Sequence, residues 1–228
     1  MSRLVGARLP RVEDARLLRG RGRYVDDVQP VGLRHAAFVR SPFAHARITA
    51  VDTAVARATP EVDLVLTAAE LEGVVGVMRG AGPEGLHSPA FGPLASDRVR
   101  FVGDPVAIVV AASRAAAEDA CEQVDVTYEP LSAVVDVDAA VDLDAPAVFE
   151  EVGHNLMFEG HWVYGDPDAR FAAAPRTGRW RFTQHRQCNA PLEGRAGVVD
   201  HDPDTGDLTY HAAHQNPHGL RLFVAELL

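Results

Sequence analysis

Between residues 34 and 131 the apolar positions come in short strand-like runs. Beyond residue 150 they are spread more thinly among polar ones. Strands are expected at about 34–40 ("RHAAFVR") and 46–52 ("ARITAVD"), with "SPFAH" as the turn between them. A short helix is expected over 53–58 and a buried strand at 62–66 ("VDLVL"). Thr67 and Glu70 have capping-box spacing and open a brief helix. Gly and Pro crowd residues 73–93, which reads as a loop. "RVRFV" (98–102) is a strand, Gly103 and Asp104 a turn, and "PVAIVVA" (105–111) an unbroken apolar run suited to a strand covered on both faces. Ser113 caps a helix over about 114–123, and "VDVTYEPL" (124–131) is the return strand, so strand, helix and strand follow one another in an α/β pattern.

Residues 132–148, rich in Asp, Ala and Val, read as a linker. Strands follow at about 155–164 and 178–187. A hairpin then turns at residues 202–206, "DPDTG". At the end of the chain Asn216 can cap a helix and Pro217 suits its first position. Leu220, Phe223, Val224, Leu227 and Leu228 form one apolar face of that helix, and nothing after it is available for the face to pack on.

Composition narrows the chemistry. All 22 basic residues are Arg, so neither the phosphate-binding Lys of a P-loop nor a Schiff-base Lys exists. The net charge of −10, with only a short basic run at Arg16–Arg23, argues against a nucleic-acid partner. No apolar run reaches the ~18 residues of a membrane span, and the N-terminus has no signal-peptide apolar stretch, so a cytoplasmic chain without a membrane partner is expected. Cys121 and Cys188 lie far apart and outside any C-x-x-C pair, which disfavours a zinc ribbon or an iron–sulfur site.

His211, His214 and His218 invite a metal reading. His211 and His214, however, sit at an odd offset on a predicted strand and point to opposite faces, so no metal site is assigned. No G-x-S-x-G elbow and no strand-linked G-x-G-x-x-G is present; "GVVGVMRGAG" (73–82) reads as loop. Two strand ends stand out, "QCNAPLEGR" (187–195) and "HQNPHGLR" (214–221). Each gathers amide, carboxylate or guanidinium groups around a proline, either as an ordinary polar turn or as a rigid place to hold groups against a cofactor.

"GRGRYVDD" (20–27), "SPFAHARI" (41–48), "VRFVGDPVAIVVA" (99–111), "VTYEPLSAVVD" (126–136), "NAPLEGR" (189–195) and "HQNPH" (214–218) together resemble, in order, the molybdopterin-binding large subunits of the xanthine dehydrogenase/aldehyde oxidase family, which includes aerobic carbon monoxide dehydrogenase. The resemblance implies an α+β fold: an α/β-hammerhead domain with an N-terminal arm over 1–135, a linker over 136–150, and the start of a molybdopterin-binding domain over 151–228. It implies that Gln215 binds the molybdopterin–molybdenum cofactor through a metal oxo ligand, and that Glu193 and Arg195 lie on the substrate side. No catalytic residue of the family falls within this chain. The family's Gly-rich loop and its catalytic glutamate have no counterpart here.

The expectation is therefore an N-terminal segment of a molybdenum hydroxylase large subunit, cut within a helix. Such an enzyme hydroxylates an aldehyde or N-heterocycle with water as oxygen source. Its partners would be a complementary C-terminal large-subunit chain and iron–sulfur and FAD subunits, with the chain inactive and cofactor-free alone. The alternative is a non-catalytic remnant or subunit-interaction module.

Overall fold

The computed structural model describes residues 4–228 apart from Ala81, Leu143 and Arg186. The loop expected at 73–93, the linker and the strand expected at 178–187 thus each contain one position outside the described residues. The elements, in chain order, are α1 (Asp14–Leu17), β1 (His35–Arg40), β2 (Ala46–Asp52), α2 (Ala54–Ala58), β3 (Val62–Thr67), α3 (Ala68–Leu71), β4 (Arg98–Val99), β5 (Pro105–Ala111), α4 (Arg114–Cys121), β6 (Asp125–Pro130), α5 (Pro167–Ala173), β7 (Gly197–His201), β8 (Leu208–Ala212) and α6 (Pro217–Leu227). Single 3-10 turns occur at Val25–Asp27 and Ala139–Val141. The chain divides into two compact units: the segment up to Leu33 with Gln184–Leu220, and Arg34–Thr183 with Arg221–Leu228.

In the second unit, β1-β5-β3 and β4-β2-β6 form two antiparallel sheets. The return strand β6 pairs with β2 and not with β5, so β5–α4–β6 is not a parallel crossover unit. The apolar run of β5 has a direct explanation. Ala107 and Val109 pack with Ala56, Val65, Ala120 and Val124, while the neighbouring Val106 faces the other way and packs with Ala46 and Val99. One strand thus serves two cores, and both of its faces must be apolar. Helix α4 is capped by the Ser113 hydroxyl, which accepts from Ala116 N–H at 3.2 Å. The capping box of α3 is formed, with Glu70 Oε2 accepting from Thr67 N–H at 2.8 Å.

Two of the signature stretches clasp each other. Gly103 has φ +92°, a left-handed turn that suits glycine. It lets Gly103 N–H donate to Ser41 O at 2.8 Å while Ser41 N–H donates to Asp104 O at 2.9 Å. The Asp104 carboxylate accepts from Arg100 N–H at 2.9 Å, which ends β4 early and turns residues 101–103 out of the expected strand. Burial pushes the Asp104 carboxyl above its usual range.

The segment after β6 is tied down by side chains. Arg98, only 7 % exposed, pairs with Glu150. The closest approach, Nη1 to Oε1 at 2.8 Å, is an ion-pair contact that leaves Nη1 without a hydrogen bond; Nη2 donates to Oε2 at 3.3 Å. Arg100 stacks over the Phe149 ring at 4.7 Å. Asn155 accepts from Val148 N–H and donates to Ala140 O and Pro146 O.

Two expectations fail. Neither strand predicted at 155–164 and 178–187 forms among the described residues; what appears instead is the short helix α5, capped by Asp166 accepting from Ala169 N–H at 3.0 Å. The end of α6 is also not unpartnered. Gly76 N–H donates to Leu227 O at 2.8 Å, and a Cβ on residue 76 would sit in ordinary van der Waals contact with the Leu227 backbone and side chain.

Candidate functional site

The residues singled out at the two strand ends, Arg221 apart, belong to one unit. β7 and β8 pair antiparallel with Gly197 opposite Ala212 and Val199 opposite Tyr210, and Ala213 N–H donates to Ala196 O at 3.3 Å. The ladder ends there, and residues 193–195 and Gln215 follow within three residues of it on the two arms at the open end of the ribbon. The far end closes through residues 202–206. There Asp202 accepts from the Asp204 and Thr205 backbone N–H groups, which hold its carboxyl below the usual range.

At the open end the backbone is fixed from several directions. Asn216 Oδ1 accepts from Gly219 N–H at 3.0 Å and Asn216 O from Leu220 N–H at 2.9 Å, the expected cap of α6. His214 Nδ1 accepts from Asn216 N–H at 3.0 Å, so its other ring nitrogen carries the proton in the neutral ring. Gln215 lies in the bend between them. Its side chain is exposed and makes no hydrogen bond among the described residues. A rigid bend that leaves one amide free is suited to presenting that amide to a ligand oxygen.

Glu193 has a role that sequence reading missed. Its Oε1 accepts from Val25 N–H at 2.8 Å, across 168 residues of chain. Val25 is buried and opens the 3-10 turn whose preceding Tyr24 N–H donates to Asp27 Oδ2 at 2.8 Å. The "PLEGR" and "GRGRYVDD" stretches are therefore joined by one carboxylate. The long separation in sequence leaves no local sign of this pairing. Arg195 is exposed, without a hydrogen bond or ion pair among the described residues. Cys188 is exposed as well, and Cys121 is half-buried with its thiol pushed up by burial.

The donors at this end fit a cofactor that brings its own metal ligands. Among the described residues no three His, Cys, Asp or Glu side chains gather to hold a bare ion, whereas an amide beside a capped helix N-terminus suits an anionic oxygen. Residues 19–132 match the description "Aldehyde oxidase and xanthine dehydrogenase, a/b hammerhead domain", and residues 148–228 match "Molybdopterin cofactor-binding domain".

The chain belongs to the aldehyde oxidase and xanthine dehydrogenase family.

Within this family it is 38 % identical to the nicotine 6-hydroxylase large subunit of Paenarthrobacter nicotinovorans, over 99 % of this chain and 28 % of that one. It is 38 % identical to the carbon monoxide dehydrogenase large chain of Afipia carboxidovorans, over 97 % of this chain and 28 % of the relative. The crystal structure of quinoline 2-oxidoreductase from Pseudomonas putida 86 superposes with a TM-score of 0.84 at 36 % identity, covering 95 % of this chain and 28 % of that one. The chain thus spans little more than a quarter of these relatives' length, and corresponds to their N-terminal part. The two antiparallel sheets with α4 are the hammerhead of the family, followed by part of its molybdopterin-binding domain, as the α+β reading expected. No helix among the described residues is long and apolar enough to cross a membrane.

Proposed function

We propose that the chain is the N-terminal component of a molybdenum hydroxylase large subunit, in which Gln215 meets the molybdopterin–molybdenum cofactor. When bound, that cofactor would supply the redox chemistry for hydroxylating an aldehyde or N-heterocycle with water as the oxygen source. This chain's part is positioning. Asn216 and His214 hold the bend, and the free Gln215 amide donates to an oxygen of the group. Glu193 fixes residues 193–195 through Val25, and Arg195 stands exposed on the side assigned to substrate. The partners are a polypeptide completing the large subunit and electron-transfer subunits carrying iron–sulfur and FAD groups. The observation that carries the reading is the unpartnered Gln215 amide on a braced bend, within a segment that matches a molybdopterin-binding domain.

The test is Gln215→Ala in the assembled enzyme. A hydrogen bond to a charged acceptor is worth about 1.5–3 kcal/mol, so turnover should fall ~10 to 100-fold at unchanged folding. Steady-state kinetics with molybdenum content measured in parallel gives the answer. Full activity at equal metal loading removes Gln215 from the site; lost metal with normal folding makes it a cofactor anchor.

A further inference from the structure

The stretch that follows the expected linker folds back on itself. Asn155 is the clasp. Its Oδ1 accepts from Val148 N–H at 2.9 Å, and its Nδ2 donates to Pro146 O at 3.0 Å and to Ala140 O at 3.2 Å. One side chain thus closes residues 146–155 into a compact loop and ties its base to Ala140. At the tip, Val152 N–H and Gly153 N–H both donate to Phe149 O, and Gly153 takes the left-handed conformation at φ +79°. This tight turn sets Phe149 and Glu150 side by side. The loop lies where the hammerhead match has ended, at residue 132, and the cofactor-domain match begins, at residue 148.

The tip docks on Arg98 in β4, which pairs with Glu150, and on Arg100 just beyond it, which stacks over Phe149. Both contacts are imperfect. Arg98 Nη1 and Arg100 Nε are buried without a hydrogen bond among the described residues. A buried donor without an acceptor sets its lost hydration against what the contact gains. On the acidic side, the Glu150 side chain is 67 % exposed, so solvent and salt screen its attraction. Opening returns water to two guanidinium groups and gives up one screened pair and one stack, so closed and open positions lie close in free energy. The base of the loop has separate anchors. Asn155 holds Ala140, His87 N–H donates to Met157 O at 2.8 Å, and the His87 ring packs edge-on against His154 at 5.0 Å. Losing the tip contacts leaves these anchors in place.

We propose that residues 146–155 are a lid that moves as one body, closing over Arg98 and Arg100 through Glu150 and Phe149 and lifting about its base at residues 154–157. The Asn155 clasp keeps the loop's shape in both positions. The passage from the hammerhead to the segment that matches the cofactor-binding domain is then a two-position joint, and its lifted form uncovers two guanidinium groups. The inference stands on contacts within Arg34–Thr183 and depends neither on Gln215 nor on another polypeptide.

Nuclear magnetic resonance of the full chain separates the docking from the clasp. The upfield shift that the Phe149 ring imposes on the Arg100 side-chain protons reports docking. Hydrogen exchange of the Val148 amide, which donates to Asn155, reports the clasp. In the wild type, relaxation dispersion should show microsecond-to-millisecond exchange at Phe149 and Arg100 that grows with added salt. Glu150→Lys, which sets a like charge against Arg98, should remove the Arg100 shift while Val148 exchange stays within about twofold of wild type. Asn155→Ala should speed Val148 exchange about tenfold. The proposal is overturned if the Arg100 shift survives in Glu150→Lys, or if shift and Val148 protection are lost there together. It is equally overturned if the wild type shows no dispersion, or if Asn155→Ala leaves Val148 exchange unchanged.

Discussion

The stretch from Ala46 to Val124 and the stretch from Asn155 to Thr183 both carry strand-like apolar alternation, the first in Ala and Val and the second in aromatic residues, and they have opposite fates. Apart from Val25, every buried hydrophobic residue described lies between Ala46 and Val124. From Glu159 to His185 every described residue is exposed, aromatic ones included. The difference is in partners. β5 has a strand on each side and apolar neighbours on each face. Residues 178–183 alternate as cleanly but have no strand beside them. An apolar pattern states what a segment can bury, and only a neighbour decides whether it does.

Breaking the packed stretch should have the largest effect. Val106→Asp places an unpaired charge between β5 and the second sheet, at a cost of several kcal/mol. We expect loss of cooperative unfolding, or of soluble chain, in thermal denaturation. The same change at Trp180→Asp should stay within about 0.5 kcal/mol of wild type in the isolated chain. Comparable losses at both positions would erase the contrast.

The Glu193 clasp is a smaller effect. Glu193→Ala removes the acceptor of Val25 N–H, and exchange of that amide should accelerate about tenfold, the equivalent of one modest hydrogen bond. Glu193→Gln keeps a carbonyl acceptor and should exchange close to wild type. An unchanged rate in Glu193→Ala would show that the carboxylate is free for another role, including the substrate-side one first expected.

The smallest effect concerns acid. Hydrogen bonds from Thr67, with help from Arg57, hold the Glu70 carboxyl down at about 2. A depressed folded-state value means that its contribution is complete above the ordinary value of 4.5 and is lost as pH falls towards 2. Glu70→Gln should therefore unfold at a lower temperature than wild type at neutral pH, with the difference shrinking between pH 4.5 and 2. The side chain is partly exposed, so the shift should be small and salt-sensitive. A difference that stays constant across that range would assign the effect to something other than this charge.

These contrasts also explain what could be read in advance. β1, β2, β3, β5, the Ser113 cap, the Thr67–Glu70 box and the Asn216 cap are local signals, or consequences of one strand serving two cores, and were legible. The pairing of β6 with β2 was not, because strand choice is a matter of tertiary packing that periodicity does not encode. Helix α5 was overlooked although Asp166 and Pro167 announce it; the alternation on either side suggested strands. At the candidate site the α6 cap followed from the sequence and Gln215 was singled out only through the family resemblance, while the Glu193–Val25 tie depends on two segments 168 residues apart and left no local trace.

Hydrogen exchange along the full chain, alone in solution, tests the central contrast most directly. The account predicts that the amides of residues 106–111 exchange slowest, near the rate set by global unfolding, while those of 158–164 and 178–183 exchange as in an unstructured peptide. Strong protection of residues 178–183 in the isolated chain would contradict it, because those backbone groups would then already have partners.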